Sequence, residues 1–480
     1  MQQQKLSVMF IKKFLESNSK NICAILLFAL SLTFLCFTFI RCFDNVFWGD
    51  EGYSIKLSNM GGVLLMLKET ANDVHPPLYY IFAKVLYQIF GNKPIAYHLS
   101  AFLPYSFMVI FALTCIRNNF KTITALFLVT LLIFSECALR YSIEARMYAL
   151  AAMFVLFAYF SLYKILSTNE VKYWCLFVIS SLGAAYTHYY ALLSVSFFYV
   201  ALIIFSFYKK NIFKRTLFAC FITVIAYLPW LFYGLLGAFL RTSDNWWLGS
   251  IPDLDTLLLF VFDYKILFAV FIFAVVSYFF KSSKKFKQNF VNHFWIFCGI
   301  LSFVSTIAVG YILSYTIRPF FLERYLFPLA PVMFLIFGYC VSKLNYSSFI
   351  CFVILALYVC FRAPTYYSDF NLKNFKNIHT NTFLYFVKPD QNATIFTDDN
   401  HLAWSLISYY YPHCKSVFES DLSDNFSEFK NSVKDGDWLF VREEISLNQK
   451  EQIMKNHDVK EVAHLWFANN WYYAYSVNMK

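Results

Sequence analysis

Charge is scarce in this chain: Asp, Glu, Lys and Arg together make up 14% of its 480 residues. That excludes an ordinary soluble domain, in which about a quarter of the residues are charged. Cysteines at disulfide or metal-binding spacing are missing too. The twelve that occur are scattered, most within apolar runs (Cys23, Cys220, Cys298, Cys340, Cys351), so they read as small hydrophobes. Internal repeats and extended low-complexity tracts are absent, which leaves no basis for a solenoid or a long flexible linker.

What fills the chain instead is apolar. Hydrophobic residues make up 59% and aromatic residues 22%, with a mean hydropathy of +0.52, the composition of a polytopic α-helical membrane protein. About eleven apolar spans are expected by window reading: 21–40, 95–116, 123–139, 147–166, 173–187, 190–207, 217–236, 257–280, 294–315, 326–341 and 349–361. The first is too long for a cleavable signal and lacks a small-residue cleavage site, so it reads as a retained anchor.

Lysine and arginine set the expected orientation. With the N-terminus cytoplasmic, the basic clusters Lys5 to Lys20, Arg117 to Lys121, Lys164 to Lys172, Lys209 to Arg215, Lys281 to Lys287 and Lys343 fall inside, as the positive-inside rule requires. The acids then do the opposite. Before Ala363 only Glu16 and Glu170 are cytoplasmic, while Asp44, Asp50, Glu51, Glu69, Asp73, Glu136, Glu144, Asp244, Asp253, Asp255, Asp263 and Glu323 lie at or near the outer face. The net charge of +11 therefore records loops meeting anionic lipid and gives no nucleic-acid signal.

Residues 1–362 read as a transmembrane catalytic domain, with 41–94 as an outer loop carrying interfacial helices. Within it, Ser54 to Glu69 is amphipathic and interrupted by Gly61-Gly62, and Leu78 to Phe90 is a short helix opened by Pro76-Pro77 and closed by Gly91. Residues 363–480, with about 11 basic and 15 acidic residues, read as a soluble outer-face α/β domain. Its expected strands are Thr394 to Thr397, Trp438 to Val441 and Trp471 to Val477. Helices are expected over His401 to Tyr411 and Asp424 to Val433, with a turn at Asp435-Gly436.

Four polar constellations fall on the outer face. In Trp48-Gly49-Asp50-Glu51-Gly52, adjacent acids point in different directions, so one is aimed at substrate and the other holds the loop. In Asp73-Val74-His75-Pro76-Pro77, the prolines stiffen the approach to the next helix; the bland reading is an N-cap. In Arg140-Tyr141-Ser142-Ile143-Glu144-Ala145-Arg146-Met147-Tyr148, two arginines run against the positive-inside trend and suit a lipid phosphate; the bland reading is an Arg–Glu pair stapling the loop. The fourth is dispersed over Thr187-His188-Tyr189-Tyr190, Arg241 with Trp246-Trp247, and Arg318 to Tyr325, where Glu323 is expected to pair with one arginine.

Taken in order, Trp-Gly-Asp-Glu-Gly, His-Pro-Pro-Leu-Tyr-Tyr, Glu-Ala-Arg-Met-Tyr, Thr-His-Tyr-Tyr and Glu-Arg-Tyr-Leu-Phe-Pro resemble the C-type membrane glycosyltransferases. The nearest branch is the bacterial relatives of protein O-mannosyltransferases and aminoarabinose transferases, and the resemblance covers roughly residues 47–331. It implies transfer of a sugar from a polyprenyl-phosphate donor to a lipid, glycan or protein acceptor outside the cytoplasmic membrane, usually with inversion. Asp50 corresponds to the essential acid, with Glu51 beside it and Asp73 as the candidate second acid. Arg146 and Arg324, with Arg140 and His188, would meet the donor phosphate. His75, Tyr148, Glu144 and Tyr325 would contact substrate. No cofactor is required in this reading, although Asp50, Glu51, Asp73 and His75 are ligand types that suit a divalent cation. A lipid-linked glycan polymerase or ligase shares the topology but carries a large late outer loop. A transporter would need polar groups at mid-membrane, where these spans have almost no acids. A non-catalytic envelope assembly protein is the blandest alternative.

Overall fold

The computed structural model describes residues 2–45, 47–72, 75–237, 250–283, 286–344, 348–397, 407–418, 432–441, 457–467 and 470–479. Asp73, Arg241, Asp244, Trp246 and Trp247, and nearly all of the helix expected over Asp424 to Val433, lie outside the described residues.

The protein is polytopic and mostly helical. Among the described residues eight helices are long and apolar enough to cross a membrane: Ala24–Arg41, Pro94–Asn119, Tyr148–Thr168, Tyr189–Tyr208, Lys210–Leu235, Lys265–Ser283, Gln288–Thr316 and Glu323–Lys343. Shorter apolar helices, Thr122–Phe134, Val171–Ala185 and Val353–Thr365, occupy the other three expected runs. At about 1.5 Å per residue the first two fall short of the roughly 30 Å hydrocarbon core, whereas Val353–Thr365 is the apolar stretch of one continuous helix, Ser348–Phe386. The run expected over 257–280 is divided at Asp263, whose φ of 57° ends the Leu254–Phe262 helix before Lys265–Ser283 begins.

The chain divides into two compact units. One comprises Met1–Ile40, Leu67–Tyr79 and Ser100–Tyr366; the other comprises Arg41–Met66, Tyr80–Leu99 and Tyr367–Lys480.

In the first unit the Ala330–Lys343 helix is buried along nearly its whole length. It lies against Thr122–Phe134, and the close approach depends on Gly338, where a Cβ would meet the Thr124 carbonyl oxygen at 2.8 Å. Small residues at such crossings are how membrane helices gain packing contacts without a hydrophobic driving force. Nearby, Tyr159 and Trp295 stack at 4.7 Å and exchange hydrogen bonds with each other's carbonyls, Tyr159 Oη donating at 2.9 Å and Trp295 Nε1 at 3.2 Å.

The second unit contains a five-stranded sheet of order β2-β1-β3-β5-β4, with β1 Thr394–Thr397, β2 Lys415–Phe418, β3 Trp438–Val441, β4 His457–Phe467 and β5 Asn470–Met479. β1 pairs parallel with β2 and β3; β5 runs antiparallel to both β3 and β4. The three expected strands are present, and the two unforeseen ones are the sheet edges. Edge strands carry charge that blunts further pairing, as Asp458, Lys460 and Glu461 do on β4, and this hides the apolar alternation. At the turn before β3, Gly436 takes φ 84°, and the buried Asp437 carboxylate accepts from the Thr394 and Lys434 amides, both at 2.7 Å. Of the helix expected over His401 to Tyr411, Ile407–Tyr410 is described and helical.

Candidate active site

In the first unit, three of the expected motifs and His75 come together. The Glu136–Tyr141 helix ends in an irregular segment that leads into Tyr148–Thr168, and every residue from Tyr141 to Leu150 is buried. Arg140 Nε donates to Glu144 Oε2 at 2.8 Å, so the Arg–Glu staple is present. Glu144 is nonetheless half used: its Oε1 is buried with no hydrogen-bond partner among the described residues, as are the Tyr141 and Tyr190 hydroxyls. Buried polar atoms of this kind are normally satisfied by ligand or ordered water.

Arg146 is 3% exposed and follows Glu144 in a tight turn, its amide donating to the Glu144 carbonyl. Arg324 and Tyr325 arrive on the 3-10 turn Glu323–Leu329. The preceding chain is pinned by the Phe321 amide donating to Ser314 Oγ at 3.1 Å, and by Gly310, where a Cβ would lie 2.7 Å from the Phe321 ring. The Arg324 guanidinium sits 6.0 Å from the ring centroids of both Tyr148 and Tyr325. The pair expected between Glu323 and Arg318 or Arg324 is not formed among the described ion pairs.

His188 lies at the centre. Its ring is 6.0 Å from His75, 5.5 Å from Tyr148 and 5.1 Å from Tyr325. It caps the Tyr189–Tyr208 helix, its Nδ1 accepting from the Tyr190 amide at 3.2 Å. A neutral ring with Nδ1 as acceptor carries its proton on Nε2, which makes it a donor. Burial first, then the nearby His75, Arg146 and Arg324, hold its pKa well below 6.5. The unfolded chain therefore binds this proton more readily than the folded protein. The stability this group contributes is complete above about pH 6.5 and is lost as pH falls. Asparagine at 188 would keep the cap and remove the titration. His188→Asn is therefore expected to flatten the loss of melting temperature between pH 6.5 and 5; parallel losses in variant and parent would rule His188 out as the group responsible.

The acids of the first motif belong to the second unit, and here the expected loop is a helix. Asp50 and Glu51 occupy the first turn of Gly49–Asn59, where the helix dipole favours negative charge. Glu51 is 4% exposed and reaches back to accept from the Trp48 amide at 3.1 Å, satisfying a donor that the helix start leaves open. His98 stands 4.0 Å from Glu51 Oε1. At the other end of the helix the buried Lys84 ammonium donates to the Ser58 carbonyl at 3.2 Å and to the Met60 carbonyl, complementing the negative helix terminus. His98 and Lys84 were not foreseen, because each lies within a short polar interruption of an otherwise apolar run. Asp73 lies outside the described residues; among those described, no group of three or more His, Cys, Asp or Glu is placed to hold a metal ion.

Comparison with known proteins adds to this geometry. The model of the dolichyl-phosphate-mannose-protein mannosyltransferase family matches residues 74–233, a stretch that contains His75, Arg140, Glu144, Arg146, Tyr148 and His188. Two solved structures of ArnT from Cupriavidus metallidurans, one in the apo state and one bound to undecaprenyl phosphate, match with a TM-score of 0.58 and 12% identity. Each match covers 94% of this chain and 97% of theirs. No curated protein matches. The resemblance read from the motifs thus recurs in a family model and in the fold.

Proposed function

We propose that this chain is a membrane glycosyltransferase that moves a sugar from a polyprenyl-phosphate donor to a lipid, glycan or protein acceptor on the outer face of the cytoplasmic membrane. In this reading its N-terminus is cytoplasmic and its C-terminal sheet lies outside. The observation that carries the reading is the gathering of Arg146, Arg324 and His188 with buried, unpartnered polar atoms, in a stretch largely covered by the mannosyltransferase family model.

The chemistry follows from the residue types. An acceptor hydroxyl attacks the anomeric carbon and the bond to the phosphate oxygen breaks; electrons pass to the leaving polyprenyl phosphate while the hydroxyl proton passes to the Asp50 carboxylate, with inversion. A positioned base helps because the hydroxyl is far too weak an acid to ionise by itself at neutral pH. Fixed cations help because charge grows on the departing phosphate, and Arg146 and Arg324 supply them without reorganisation. His188 adds a neutral Nε2–H donor. Arg140, tied to Glu144, makes a second-rank contact, and Glu144, His75, Tyr148 and Tyr325 meet the donor headgroup and sugar. Asp73 is the proposed second acid. No cofactor is required in this reading.

Donor binding tests the clamp directly. Charge-assisted hydrogen bonds contribute about 1.5–3 kcal/mol, so Arg146→Ala should weaken binding of undecaprenyl phosphate to the nanodisc-embedded protein by roughly 10- to 100-fold. Unchanged affinity in both Arg146→Ala and Arg324→Ala would remove the phosphate clamp.

A further inference from the structure

The second unit joins the acid-bearing helix to the C-terminal sheet through side chains whose role the chemistry above leaves open. Just before β2, the short helix Ile407–Tyr410 presents two adjacent tyrosines to Asn45 and Phe47, which precede Gly49–Asn59. Tyr410 Oη donates to the Asn45 carbonyl at 3.2 Å, and Tyr409 Oη donates to Asn45 Oδ1 at 3.4 Å. The Tyr409 ring meets Phe47 edge-on at 4.9 Å. Phe47 is fully buried, and it also stacks on His98 at 4.7 Å and 13° and meets Tyr97 edge-on at 5.9 Å.

His98 then closes the circuit. Its Nε2 lies 3.1 Å from the Asp44 carbonyl and its Nδ1 faces Glu51, whose carboxylate holds the Trp48 amide. Tyr409 is fixed by further contacts as well: Asn92 Nδ2 donates to its carbonyl at 3.3 Å, and Tyr97 packs against its ring at 5.7 Å. Tyr97 Oη in turn bonds Asn59, the last residue of the acid-bearing helix, at 2.7 Å. Tyr409 and Tyr410 thereby act on both ends of one eleven-residue helix.

From this geometry we infer that the C-terminal domain is a positioning device for the Asp50 helix, with Tyr409 and Tyr410 as its positioning residues. A helix of eleven residues without a continuous apolar stripe is too short to hold its own conformation. The polar side chains Glu51, Ser54 and Ser58 are among its buried positions, so packing alone does not fix its rotation. The tyrosine contacts supply that constraint. Their consequence for catalysis rests on the function proposed above, whereas their consequence for the helix does not.

The test separates the two. In the full chain in nanodiscs, Tyr409→Phe/Tyr410→Phe removes both hydroxyls and keeps both rings. Loss of one hydrogen bond changes an opening equilibrium by roughly 2- to 10-fold. Amide exchange at residues 47–53 should therefore accelerate by that factor or more, while the Ala330–Lys343 helix exchanges as before. Sugar transfer should fall in kcat with undecaprenyl-phosphate affinity unchanged, and restoring Tyr410 alone should recover part of both effects. Unchanged exchange at 47–53 overturns the inference, even if Asp50→Asn abolishes transfer. Accelerated exchange in a protein whose parent transfers no sugar would sustain the positioning role and defeat the proposed function instead.

Discussion

Asp50→Asn is expected to abolish sugar transfer while leaving an inserted protein of parental melting temperature and parental affinity for undecaprenyl phosphate. The substitution is close to isosteric, and its neighbour Glu51, which carries the bond to the Trp48 amide, is untouched. Asparagine cannot take the proton of the attacking hydroxyl. General base catalysis contributes about 10²- to 10⁴-fold, so the turnover rate should fall by that factor. Glu51→Gln gives the contrast. It disturbs a buried carboxylate that faces His98 and holds the helix start, so its loss of activity should come with a loss of stability. Full turnover by Asp50→Asn in a single-turnover assay with a polyprenyl-phosphate sugar would remove Asp50 as the base, whatever the behaviour of the arginines.

Those two acids also show how far the sequence could be read. Their presence near the end of the first span was legible, because carboxylates interrupt an apolar run. Their placement in a helical turn was not. Gly49 and Gly52 read as loop chemistry and Glu51 is a buried polar residue, so no 3.6-residue apolar stripe announces the turn that carries the acids; the amphipathic pattern begins only at Ser54. The helix starts where it does because Glu51 reaches back to Trp48, a contact visible only once the helix exists. Arg140, Glu144, Arg146 and Tyr148 were legible as a group because they lie within nine residues. His188 and Arg324 required the order of several motifs along the chain. The edge strand β4 was hidden by its own charge, and the positioning tyrosines by sequence separation, since Tyr410 lies 365 residues from the Asn45 it holds.

The same blindness to long-range pairing concealed a buried ionic constraint in the first unit, and its removal should have a large effect on stability. Arg362, with 3% of its side chain exposed, lies near both Asp263, whose side chain is 2% exposed, and Glu136, at 3.7 Å from each. Its Nε donates to the Phe134 carbonyl at 2.9 Å, at the break between the Thr122–Phe134 and Glu136–Tyr141 helices. Asp263 is further held by Tyr358 Oη at 2.6 Å and itself accepts from the Glu136 amide at 3.0 Å. Removing one member of a buried pair leaves the other charge uncompensated, at a cost of about 3–5 kcal/mol. Arg362→Leu should therefore lower the melting temperature steeply. It should also reduce transfer, because the Glu136–Tyr141 helix carries Arg140 toward Glu144. The pH dependence identifies the cause. Burial raises the Asp263 pKa to about 6 against an ordinary 3.8, so its favourable contribution is complete below about pH 3.8 and is lost as pH rises through 6. Without Arg362 the ionised carboxylate becomes costlier still, and the deficit of Arg362→Leu should be greater at pH 8 than at pH 5, where Asp263 takes up a proton. Replacing both partners, as in Arg362→Leu/Asp263→Leu, removes both buried charges together and should recover much of the lost stability. A deficit equal at the two pH values, and undiminished in the double variant, would mean that Arg362 stabilises through packing alone.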